Sequence, residues 1–402
     1  MKIRAITAFT TLHADDYEAP LTRAGVFLSA AAEAFAGAGI VVQSRRVAAQ
    51  PFPRWGVQAG AMPALAARVR AFGVGQGVTY LSLGAVGAAD DPAFLDALPD
   101  VFAAAEGAFA SIAIADQGAG IDLSLLHRAA HVIRRTSTIA PDGLTNLYLC
   151  ASANVAPGTP FFPAAYHDGG PDGFALAIEA ADLAVMAFEG AAGDPAAARD
   201  RLTAAIQAAA DALTPIADRL AARFGFSFGG LDFSLAPYPG AATSLGGAME
   251  GLGVTAGGGG MVAAAALVMN AIEAADFPRC GFSGLMLPVL EDSVLGARAA
   301  EGALRLNDLL LYSAMCGTGL DCIPLPGDSG EAGLVGILLD VGALALRLDK
   351  PLTARLMPLP GKSEGDPVDF PDFEYFAPSR VMALPRPLRG LTTGTVRITP
   401  RP

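Results

Sequence analysis

Residues 1–50, MKIRAITAFTTLHADDYEAPLTRAGVFLSAAAEAFAGAGIVVQSRRVAAQ, decide the fold class. Lys2 to Phe9 is a short apolar run with β-branched residues, the pattern of a buried strand. Ala19 to Ala36 places its apolar residues at helical spacing, and Gly39 to Val47 returns to a strand pattern. Strand, helix and strand in about 45 residues make one βαβ unit, complete by about Ala48. The same alternation continues outward, which is the signature of α/β architecture. Strand patterns recur at Val78 to Val86, Phe109 to Ala115, Leu144 to Ser152, Asp182 to Phe188, Phe226 to Ala236, Gly281 to Leu290, Leu320 to Leu325 and Leu352 to Leu359. Helical stretches at Pro63 to Phe72, Asp96 to Gly107, Asp122 to Thr136 and Pro195 to Phe224 separate them, giving about ten strands in all. No polar linker divides the 402 residues, so residues 1–402 are expected to form one body, with a C-terminal tail from about residue 381.

Apolar residues make up 52% of the chain and charged residues 16%. That permits a large core but leaves little charge to cover the outside, so a homo-oligomer, a dimer or larger, is expected. A formal charge of −12 repels phosphate backbones and anionic head groups, which argues against nucleic acid and membrane surfaces as partners. The opening strand is too short and too soon polar for a signal peptide. No apolar window reaches the roughly 20 residues a membrane helix needs. A cytoplasmic protein is expected, with Cys150, Cys280, Cys316 and Cys322 as reduced thiols. No cysteine pair has the spacing of a redox or zinc motif, and composition names neither metal nor cofactor.

Beyond Phe228 the chain becomes dense in glycine and proline: FGGLDFSLAPYPG at 228–240, SLGGAMEGLG at 244–253, GGGG at 257–260, CGFSGLMLPVLED at 280–292, DLLLYSAMCGTGLDCIPLPGD at 308–328 and LDKPLTARLMPLPGK at 348–362. With the opening MKIRAITAF, this series resembles the domain of unknown function 711 family, also called uncharacterised protein family 0210, from the first strand to about Arg380. The resemblance implies a ten-stranded α/β barrel of the pyruvate formate-lyase and anaerobic ribonucleotide reductase type. In that barrel two parallel five-stranded half-sheets run antiparallel to each other. It implies no established activity, so function rests on the site. Glycyl-radical relatives of that barrel carry a cysteine on a central loop and a radical glycine near the C-terminus. Cys316 can fill the first role, but LRGLTTGTVRITPRP, with Gly390 and Gly394, does not match the second. Radical chemistry is not expected.

Several residues are candidates for a pocket at one barrel mouth. Gly257, Gly258, Gly259 and Gly260 lead into a helical stretch, where free amides can face an anion; close packing at a barrel rim is the alternative. Asp321 lies in an apolar strand pattern, where an unpaired carboxylate is costly, so it needs a partner or a role. With Asp232 and Glu250 it can form an acid/base pair or a hard-metal site, the alternative being ion pairs with Arg298, Arg305 or Arg355. Cys316, flanked by glycines, is the candidate nucleophile. Asp328 reads either as a ligand contact or, the commoner use, as a helix N-cap. His13 follows the first strand, where a barrel exposes strand ends. His127 and His131 are one turn apart but lack the glutamate of a zinc-protease helix, and His167 sits in a turn-like YHDGGPDG loop. The expected function is an enzyme acting on a small polar or anionic metabolite, with a non-catalytic small-molecule binder or regulator as the alternative.

Overall fold

The computed structural model of the chain describes residues 1–400. Its strands of three or more residues are β1 (Lys2–Thr10), β2 (Arg45–Ala49), β3 (Tyr80–Gly87), β4 (Ala108–Asp116), β5 (Gly120–Asp122), β6 (Leu149–Ala153), β7 (Gly173–Glu179), β8 (Ser227–Asp232), β9 (Gly319–Pro326) and β10 (Leu352–Leu359). Helices α1 (Glu18–Gly37), α2 (Met62–Gly75), α3 (Pro92–Ala104) and α4 (Leu123–Ser137) follow the first strands. Helices α5 (Ala181–Glu189), α6 (Pro195–Phe224), α7 (Leu245–Glu250), α8 (Met261–Ala274), α9 (Ser293–Ala300), α10 (Leu306–Tyr312) and α11 (Glu331–Leu348) belong to the second half.

The main sheet runs in the order β8, β7, β1, β2, β3, β4, β6, β10, β9. Strands β1, β2, β3, β4 and β6 are mutually parallel. β7 and β10 join the two sides of this block in antiparallel fashion, and each carries a parallel outer neighbour, β8 and β9. The result is a mixed α/β fold with a large, mostly parallel sheet. Among the described residues no ladder joins its end strands β8 and β9. Between them runs the segment 278–290, which meets β8 through Leu231 N to Pro278 O at 2.7 Å and Cys280 N to Leu231 O at 3.2 Å. It meets the start of the β9 region through Gly317 N to Leu285 O at 3.1 Å.

The sequence places a strand at Gly281 to Leu290, and the structure does not form one. Asp232 explains the difference, because its carboxylate accepts the backbone N–H groups of Phe282 and Ser283, both at 2.8 Å, that a ladder would need. Pro288 contributes no donor at all. The strand expected at 182–188 is instead helix α5, and β7 lies just before it. A short apolar run fits either element by periodicity, and here Ala, Leu and Met favour the helix, which packs on α6. β2 begins at Arg45 rather than Gly39.

Sequence dictates the better-anticipated elements. In α1 the buried residues Leu21, Ala24, Phe27, Leu28, Ala31 and Phe35 repeat at three- and four-residue spacing and form one stripe against the sheet. α6 starts at Pro195 behind Asp194, whose side chain accepts the N–H groups of Ala196 and Ala197, and stops at Gly225 with φ 71°. On β1, Ile3, Ile6 and Ala8 join the core beneath the helices, whereas Ala5, Thr7 and Phe9 face the other side of the sheet.

That inner side holds the connection between β6 and β7. Thr7 Oγ1 donates to Pro160 O at 2.9 Å, Ser82 Oγ donates to Ala165 O at 2.6 Å, and His167 N donates to Ala49 O at 3.0 Å. Phe162 packs on Phe9, Ala48 and Phe109, and Phe161 on Ala5, Ala177 and Ala236. The sheet therefore curls around this loop, with strands from both directions touching it. No helix among the described residues is long and apolar enough to cross a membrane.

Candidate functional site

Three arginines project from otherwise apolar strands onto the inner side: Arg4 from β1, Arg46 from β2 and Arg355 from β10. They line a cavity of about 100 Å³ with Tyr80, Phe109, Phe161, Phe162 and Met286. Arg46, Tyr80 and Phe109 stand near the N-terminal ends of the parallel block. Because β9 and β10 run the other way, this rim is also the carboxyl end of the outer strands. Phe373 and Tyr375, from the chain after β10, complete the wall.

Two of the arginines are balanced by carboxylates. Arg355 Nε donates to Asp321 Oδ1 at 2.5 Å and its Nη2 to Glu291 Oε1 at 3.1 Å. Arg4 donates to Glu291 Oε2 at 2.5 Å and to Glu179 Oε2 at 3.2 Å, and Lys2 Nζ lies 3.6 Å from Glu179 Oε1. Burial alone would lower both guanidinium pKa values. Glu291 and Glu179 more than offset it for Arg4, and Asp321 with Cys322 and Glu291 does so for Arg355, so both are raised.

Arg46 differs. Its residue is 9% exposed, and among the described residues the one side-chain hydrogen-bond partner of its guanidinium is Ser44 Oγ, which accepts from Nε at 2.9 Å. No carboxylate among the described residues forms an ion pair with it. The group lies over the Tyr80 ring at 5.5 Å and the Phe162 ring at 5.1 Å. Burial, and then repulsion from Arg4, push its pKa down from 12.5 to about 9. A guanidinium is not deprotonated at neutral pH, so this fall marks a positive charge whose desolvation the aromatic rings, Ser44 and the more distant Glu291 offset only in part.

The expected site residues do not converge. Among them only Asp321 lines the cavity, and it is clamped by Arg355. Glu250 accepts two bonds from Arg298, both at 2.8 Å, and a third from Ala256 N at 3.0 Å; it anchors a loop. Burial, acting on a carboxylate with Ser234, Phe282 and Ser283 as donors, raises Asp232 to about 7, and its bonds tie 282–283 to β8. Gly257, with φ 86°, lets the chain pass Ala303, since a Cβ there would sit 2.1 Å from Ala303 O; Gly258, Gly259 and Gly260 are exposed. Close packing therefore accounts for Gly257 and not for Gly259, which has nothing within 4 Å.

Cys316 is 1% exposed, with Sγ accepting from Gly319 N at 3.3 Å, and it belongs to the apolar core rather than to the cavity. The neighbouring Gly317 serves close packing on Gly284, not approach to a substrate. Asp328 is exposed and caps nothing, because the N-cap of α11 is Gly330 without a side-chain bond. His13 is exposed and bridged to Asp16 in a local turn.

Ligand atoms of Glu291, Asp321 and Cys322 lie within 4.8 Å of one another, a spacing that can hold a metal. Arg355 already donates to both carboxylates, so a cation would have to displace it. Burial raises the Cys322, Cys150 and Cys280 thiols, which disfavours thiolate at each.

The residues missed by sequence reasoning are Arg4, Arg46 and Glu291; Arg355 and Arg298 are named there as ion-pair partners, and they hold Asp321 and Glu250 in that way. A signal was present: KIRAITAF, RRVAA and LTARLMPL each place an arginine in a strand apolar on both faces, where a charge needs a partner or a ligand.

The family model described as Uncharacterised ACR (DUF711) matches residues 1–376. The chain belongs to the DUF711 family. Curated relatives carry the family designation UPF0210. The UPF0210 protein of Methanopyrus kandleri is 32% identical over 297 residues, covering 69% of this chain and 63% of that protein. The one from Pyrobaculum arsenaticum is 32% identical over 285 residues, covering 68% and 62%. The one from Neisseria gonorrhoeae is 28% identical over 299 residues, covering 72% and 66%. The chain thus spans a little under two thirds of the length of the first two relatives. The DUF711 match takes in every lining residue of the cavity, from Arg4 to Tyr375.

Proposed function

We propose that this protein binds a small organic anion in the cavity beneath Arg46. The observation that carries the proposal is the buried guanidinium of Arg46, placed at a cavity wall with aromatic rings beside it and no ion-paired carboxylate among the described residues. Buried charges in folded proteins are paired, and a pocket of apolar walls with a few polar groups is the usual form of a small-molecule site. Binding is favoured over turnover because the two carboxylates that line the cavity, Asp321 and Glu291, are both ion-paired with Arg355. Catalysis is the second reading. It rests on Asp321, which lines the cavity and is 6% exposed.

The barrel reading of the fold also stands as a proposal. It is supported by the hydrogen bonds of segment 278–290 to Leu231 on one side and Gly317 on the other, which bring an irregular segment between β8 and β9. Self-association is proposed too, supported by the exposed apolar residues Val26, Val74, Met186 and Leu311.

Mass spectrometry of the small molecules released when the purified protein is denatured tests the binding proposal. The expected result is an organic anion recovered from the wild type and absent from Arg46→Met. Equal recovery from both, or thermal shifts by organic anions that do not depend on Arg46, would refute it.

A further inference from the structure

Charge balance around the cavity narrows the ligand class, resting on the anion-binding proposal above. The positive groups are Lys2, Arg4, Arg46 and Arg355, and the negative groups joined to them are Glu179, Glu291 and Asp321. Four against three leaves one positive charge, and by geometry it is that of Arg46. A ligand with one negative charge would neutralise the cluster. A ligand with two would bring an uncompensated charge close to Glu291 and Asp321, which are 5% and 6% exposed. In such surroundings an unpaired charge is costly.

The walls say what the rest of the ligand is like. Around Arg46 stand Tyr80, Phe109 and Phe162. Tyr80 and Phe162 each meet Phe109 edge to face, with ring centroids 5.3 Å and 5.2 Å apart. Such rings favour a flat apolar body and give little to a hydrated one such as inorganic phosphate. We infer that the cavity selects an organic monocarboxylate with a flat apolar body, its carboxylate on Arg46 and its body among these rings.

Calorimetric titration of the full chain with benzoate, phthalate, acetate and inorganic phosphate tests this. Benzoate is expected to bind roughly tenfold or more tightly than the other three, the size of effect that one uncompensated charge or one lost aromatic contact produces. Phthalate carries a second carboxylate but is also larger, so Glu179→Gln separates charge from size. This variant keeps an oxygen for Arg4 while adding one positive charge to the cluster, and it is expected to shift preference towards phthalate by several-fold. A size limit would leave the preference unchanged, and that result would overturn the charge inference. Arg46-dependent binding of phosphate or phthalate at least as tight as benzoate would overturn the inference while leaving the anion proposal standing. Absence of any Arg46-dependent binding across the four compounds would overturn both.

Discussion

Replacing Arg46 by Met should make the ligand-free protein more stable. In the wild type, burial and the neighbouring Arg4 lower the Arg46 pKa from 12.5 to about 9. At about 1.36 kcal/mol per pH unit this corresponds to an upper bound of ~5 kcal/mol of unfavourable charge burial. Against it stand the contacts over Tyr80 and Phe162, together about 2 kcal/mol, and the bond to Ser44, about 1 kcal/mol. Met keeps most of the stem packing and removes the charge, so a net gain of ~1–3 kcal/mol is expected, in the range seen when buried charges give way to apolar side chains. Urea denaturation followed by circular dichroism at pH 7, on protein dialysed free of organic anions, measures the gain. A variant less stable than the wild type by about 1 kcal/mol or more would refute the reasoning, because Arg46 would then be a structural residue around which the cavity is packed.

Further outcomes concern the residues that the structure removes from the site. Gly257→Ala should cost ~2 kcal/mol or more, since its φ is 86° and its Cβ would meet Ala303 O, whereas Gly259→Ala, with nothing within 4 Å, should stay within about 1 kcal/mol in the same denaturation assay. Asp232→Asn should destabilise by ~2–3 kcal/mol, because an amide NH₂ would face the N–H groups of Phe282 or Ser283. In the wild type the raised Asp232 pKa means the native state holds its proton more tightly than the unfolded chain. The contribution of this group therefore falls as pH rises from about 4 to about 7, and that slope should vanish in the Asn variant. Alkylation of the native protein, mapped by mass spectrometry, should modify Cys280 first and leave the buried Cys150, Cys316 and Cys322 until the protein unfolds.

Much of the architecture is legible in the sequence, for physical reasons that differ between elements. α1 and α6 carry an apolar stripe or an Asp-Pro start and Gly stop, so their extents follow from local chemistry. β7 goes unread and α5 reads as a strand because Gly173 to Phe188 is apolar apart from Glu179 and Asp182, and periodicity cannot separate a buried strand from a buried helix. The segment 281–290 has strand composition, yet a carboxylate fifty residues away takes its donors, and no local pattern encodes that bond. The site fared worse. Glycine density drew attention to residues 244–260 and 316–321, where glycine serves backbone packing at Ala303 and Gly284. Arg4 and Arg46 lie on neighbouring strands, but Arg355 on β10 joins them only because the sheet curls, and which arginine lacks a partner depends on where Glu291 and Asp321 fall in space.

A high-resolution crystal structure of the protein grown with benzoate tests the central claim most directly. The account predicts a benzoate carboxylate within about 3 Å of the Arg46 guanidinium, with the ring against Tyr80 and Phe162 and the Arg355 pairs to Asp321 and Glu291 unchanged. An Arg46 side chain turned onto a protein carboxylate, with the cavity collapsed or filled by protein side chains, would contradict it.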